Sequence, residues 1–142
     1  MILDKNLTLS ENQAVTATAL SENVIKLPDA GTVYGESGAL DRNLGPGTAI
    51  PVLIQVVEDF ATLTSLTITL ETSDNADMSS STVMASSVAI AAADLVAGYR
   101  PSFTRTFPDG VLKDYVAVRY TVGGSNATAG KMTVAIGTEV NT

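Results

Sequence analysis

Apolar residues recur at every second position through three stretches of the chain. Leu66, Ile68 and Leu70 alternate with Thr67, Thr69 and Glu71. Val116, Val118, Tyr120 and Val122 alternate with Ala117, Arg119 and Thr121, and Met132, Val134 and Ile136 with Thr133, Ala135 and Gly137. A period of two puts one set of side chains on each face of a strand, so each stretch predicts a strand with one buried face. Residues 50–57 carry branched side chains in both phases and suit a central or doubly covered strand, with Pro51 at its start. Weaker strand patterns lie at 13–19, 23–27, 81–86 and 103–107. Gly, Pro, Asn and Asp clusters at 27–31, 45–47, 73–75, 108–110 and 123–126 mark the turns between them. Only residues 89–96, closed by Gly98, read as helical, for a turn or two. The pattern predicts an all-β, antiparallel jelly roll or β-sandwich of about eight strands with at most one short helix.

Composition sharpens this picture. A chain of 142 residues suits one domain, and no repeat or linker divides it. Apolar residues make up 45% and charged residues only 16%, against about 25% charged in an average soluble domain. The chain is therefore expected to fold, and to have some of its apolar surface covered by other chains. Residues 31–48 are rich in Gly and charge and read as one long exposed excursion. Residues 1–9 read as a short arm. Ile2, Leu3, Leu7 and Leu9 lie where termini are usually frayed and polar, so the arm is expected to pack on the domain or a neighbouring subunit.

Charge and missing residue types exclude most chemistry. The net charge is −7, and no two basic residues are adjacent. Binding that tracks phosphates needs clustered Lys and Arg, so neither nucleic acid nor an anionic membrane is an expected partner. The apolar stretch 83–99 is too short, and too interrupted by Ser86, Ser87 and Asp94, to span a bilayer. The N-terminus lacks the basic and apolar regions of a signal peptide, so the sequons at Asn6 and Asn126 read as chance matches.

Cys and His are absent, which removes disulfides, thiol chemistry, the commonest general base and the commonest transition-metal ligand. Ser21 and Lys26 do not form a Ser-x-x-Lys pattern. Glu58 and Asp59 are adjacent, so on a strand they point to opposite faces, and no Trp offers a sugar platform. Glu71, Asp74, Asn75 and Asp77 supply oxygen ligands, but an EF-hand frame from Asp74 meets Ala76, Ser79 and Ala85 where it needs a ligand, Gly and Glu. A calcium site of another type near Asp74 and Asp77 stays open. Gly35, Gly38, Gly45 and Gly47 are not followed by Gly-Lys-Ser/Thr. No catalytic residue, cofactor or metal ligand is therefore assigned, and the chain is not expected to be an enzyme. Tyr99, Arg100 and Phe103 form an aromatic and cationic patch of the kind enriched at interfaces, although Tyr99 and Phe103 serve equally well to close a sandwich. Together with Ile2, Leu3 and Leu7 they are the candidate interface residues.

Several segments, taken in order, carry a resemblance. They are Met1-Ile2-Leu3-Asp4-Lys5, Gln13-Ala14-Val15-Thr16-Ala17-Thr18-Ala19, Ser65-Leu66-Thr67-Ile68-Thr69-Leu70-Glu71-Thr72, Leu95-Val96-Ala97-Gly98-Tyr99-Arg100, Tyr120-Thr121-Val122-Gly123-Gly124 and Thr128-Ala129-Gly130-Lys131. In this combination the chain resembles the jelly-roll capsid cement proteins of tailed bacteriophages; residues 32–48 run longer than that family's pattern. The resemblance implies a virion protein made in the host cytoplasm and seated on the outer surface of the mature head. There it would stabilise contacts between major capsid protein subunits of the HK97 type, as a homodimer or alternatively a homotrimer. It carries no catalytic motif. The rival readings are a tail or head-fibre structural protein and, with Trp absent and four scattered Tyr, a carbohydrate-binding β-sandwich.

Overall fold

The strongest alternating runs become the centre of one sheet. Ser65–Ser73 (β5) and Tyr115–Gly123 (β8) pair antiparallel at every position from Ser65↔Gly123 to Ser73↔Tyr115, with no shift of register. An unbroken ladder is what a strict period of two permits, because a slip of one residue would turn the whole apolar set outward. The computed structural model describes residues 3–47, 50–101, 108–110 and 112–137.

Among these residues the remaining strands are Thr8–Ala14 (β1), Ala19–Leu20 (β2), Ile25–Lys26 (β3), Val52–Ala61 (β4), Thr82–Ser86 (β6), Ile90–Ala91 (β7) and Ala129–Ile136 (β9). One sheet has the order β1-β9-β4, and the other β2-β8-β5-β6, with β3 also on β8 and β7 also on β5. Every pairing is antiparallel. The free side of β4 is closed by residues 95–99. Val56 N donates to Tyr99 O (2.9 Å), Gly98 N to Val56 O (2.8 Å) and Phe60 N to Leu95 O (3.0 Å). With β2 and β3 taken as one broken edge, and this segment as a fourth strand position beside β4, the chain crosses back and forth between two four-stranded layers, staying in one of them only from β5 through β7. That is jelly-roll order.

The core lies between the layers. Val52, Ile54, Val56, Met132, Val134 and Ile136 from one sheet meet Leu66, Ile68, Leu70, Val116, Val118 and Tyr120 from the other. Each such side chain contributes roughly 1.5–3 kcal/mol by leaving water, enough together to define which face of each strand is inside. Phe60 packs over Gly130, whose φ of 137° strains any other residue and where an added Cβ would overlap the Phe60 ring.

Three expectations need correction. A strand at 13–19 is not formed; β1 ends at Ala14, Val15 and the turn at 16–18 intervene, and β2 starts at Ala19. The strand there is Thr8–Ala14, so Thr8 and Leu9 belong to it rather than to an arm. Its register shifts between Thr8 and Ser10 and again between Ser10 and Gln13, with Asn12 at a φ of 51°. Those bulges abolish the alternation that would have announced the strand. The stretch at 89–96 holds β7 and a 3-10 turn, Ala92–Asp94, in place of an α-helix. Finally, the strand expected at 50–57 runs on to Ala61 as β4 and takes in Glu58 and Asp59. The strand expected at 103–107 lies outside the described residues.

Candidate interaction surfaces

Buried polar groups are satisfied internally. Tyr120 has no exposed surface, and its hydroxyl reaches Ser10 Oγ at 2.7 Å. Ser10 donates on to Gln13 Oε1 (2.7 Å), while Gln13 Nε2 donates to Leu20 O (2.8 Å). The chain of bonds ties β1, β2 and β8 together. Burial pushes the Tyr120 phenol well above the ordinary tyrosine range, against the lowering effect of its bond to Ser10.

Glu71 does not join the acidic loop that follows it. It sits on β5, 4% exposed, and receives Arg119 Nε on both oxygens (3.0 and 3.1 Å). Ser81 Oγ (2.7 Å) and Thr69 Oγ1 (2.8 Å) complete its shell. Burial acts to raise its pKa, but the donors and the Arg119 charge outweigh that and hold the carboxyl below the usual range. Asp74 instead meets Lys113 at 3.4 Å, and Asp77 accepts from Ser79 N at 2.9 Å within its own turn. Among the described residues no group of three or more acidic side chains could hold a metal ion. Glu58 pairs with Lys131 across the ladder (2.6 Å), and Asp59 accepts from Ala97 N (2.6 Å), clipping the 95–99 segment onto β4. The two carboxylates thus serve different neighbours.

Four of the six candidate interface residues lie among the described residues. Leu3 is exposed, while Leu7 packs against the core. Leu7 also lines an apolar cavity of about 600 Å³ at the end of the sandwich, with Ile25, Leu27, Leu44, Ile50 and Ile136 among its walls. Tyr99 is half-buried against the core and Arg100 is exposed. Ile2 and Phe103 lie outside the described residues.

One surface escaped the sequence reading, and another was read only as an exposed excursion. One is the edge strand β6 and its flank: no charged residue occurs from 78 to 93, and Val83 and Val88 are exposed. The other is the excursion after β3. Leu40 N donates to Gly31 O (2.8 Å), Glu36 N donates to Val33 O (3.0 Å), and Thr32 bridges Ala39, making a small hairpin. At its tip Tyr34 is fully exposed and Val33 half exposed. The sequence signal for it was the Gly and charge of residues 31–48, which marked an exposed excursion but not the hairpin.

A family model named Bbp16, a phage-related family, matches residues 9–136. The chain belongs to the Bbp16 family. The match runs from Leu9 in β1 to Ile136 at the end of β9, so the Bbp16 pattern coincides with the jelly roll itself. A search of curated proteins returns no match.

Proposed function

We propose that this Bbp16 protein is a virion structural protein that binds the outer surface of the mature phage capsid and stabilises contacts between major capsid protein subunits. The observation that carries the reading is the coincidence of a phage-related family pattern with a jelly roll whose buried polar groups are spent on holding strands together. Glu71, Arg119, Ser10, Gln13 and Tyr120 are all tied up in this way. The surface also presents exposed apolar side chains: Val33, Tyr34 and Leu40 on a hairpin, and Val83 and Val88 at a sheet edge.

A clip that binds only the assembled, expanded lattice stabilises that state by mass action, by about 2.7 kcal/mol at a hundredfold excess over Kd. Self-association as a homodimer, or a homotrimer, adds effective concentration once one copy is bound and matches the symmetry of a closed shell. The reading is tested on particles stripped of the protein. Adding it back should raise the temperature of genome release and should produce oligomers in sedimentation at micromolar concentration. Unchanged release, with the protein recovered instead on tails or fibres, would favour the tail or head-fibre reading.

A further inference from the structure

Tyr34 contributes nothing to its own fold. It is fully exposed, and with Val33 (51% exposed) and Leu40 (54% exposed) it gathers three large apolar side chains on one hairpin. Scattered apolar residues are ordinary on a surface, but a projecting group of them, with an aromatic at the tip, is the form taken by interface anchors.

The root of the hairpin is braced. Arg42 bonds Asp114 and donates to Pro28 O (3.3 Å), and Asn43 Oδ1 accepts from Leu112 N (2.9 Å). Leu44 and Gly110 exchange both backbone bonds (3.3 and 3.0 Å). An anchor held from below loses less freedom on binding.

Charge narrows the partner. Among the described residues the cations near the hairpin are occupied: Lys5 with Glu11, Lys26 with Asp29, Arg42 with Asp114 and Lys113 with Asp74. Glu36 and Asp41 have no basic partner among the described residues, so the arm presents apolar side chains flanked by carboxylates. A second copy of the chain, itself at −7, is a poor host for it.

We propose that the hairpin of residues 31–40 is a docking arm whose tip, Val33 and Tyr34, enters an apolar pocket with a Lys- or Arg-rich rim on another protein. Resting on the reading above, that protein is the capsid shell. Tyr fits such a site because its ring is apolar and its hydroxyl finds a polar rim.

The test uses the full chain and expanded capsid shells lacking it, with saturation measured by co-sedimentation at several salt concentrations. Tyr34→Ala should weaken binding about tenfold or more while leaving the thermal midpoint unchanged. Glu36→Lys should weaken it and flatten its salt dependence. Parent-like binding by Tyr34→Ala would overturn the arm while leaving the capsid reading intact. No binding by the parent chain would overturn the capsid reading and, with it, the shell as the arm's partner.

Discussion

Tyr120 and Glu71 are buried polar residues with opposite ionisation behaviour, and together they bound the pH range of the fold. For Tyr120 the folded pKa is raised, so its contribution is complete below the unfolded value of about 10 and is lost as pH rises above it. For Glu71 the folded pKa is lowered, so its contribution is present above the unfolded value of about 4.3 and is lost as pH falls through the folded one. Urea unfolding should therefore show a plateau between roughly pH 5 and 9 with a decline on each side. Glu71→Gln should flatten the acid limb and cost about 1–3 kcal/mol at neutral pH, since Arg119 and Ser81 lose a charged acceptor. An acid limb identical to the parent's would contradict that role. Gly130 is a steric counterpart. Gly130→Ala combines a positive φ with overlap on Phe60 and should destabilise by about 2–3 kcal/mol, read from the same urea curves.

Among the elements, legibility followed the alternation of apolar and polar residues. β5, β8 and β9 were plain in the sequence because their inward and outward residues alternate without interruption, and the turns between strands carried Gly, Asn and Asp. β1 was not, because its register shifts twice and two polar residues, Thr8 and Ser10, are buried on either side of Leu9. Glu71 was misread for a related reason. It occupies the outward phase of β5, where a carboxylate is ordinarily solvated, and no periodicity reports that Arg119 lies across the ladder beside Thr69. The hairpin at 31–40 was visible only as an excursion, since its exposed Tyr34 follows no period. The β1 pairing is tested by deletion. Removing residues 1–9 takes away Leu9, which has no exposed surface, and the Thr8↔Ala135 contact. The urea midpoint should fall by the equivalent of at least about 3 kcal/mol. An unchanged midpoint would mean that β1 does not hold the sheet.

At the scale of the whole molecule, a jelly roll leaves its loops and edges as the places where partners are met, and the two layers serve as a rigid support. A Bbp16 chain with net charge −7 and an apolar arm is suited to a protein surface of complementary charge. A state-specific clip must also distinguish the mature lattice from its precursor, because equal affinity for both would shift nothing. The most direct measurement is co-sedimentation of the purified protein with expanded capsids and with unexpanded proheads at equal concentration. Saturable binding to expanded shells, with little to proheads, is the expected result. Binding to neither, or equal binding to both, would contradict the proposed role.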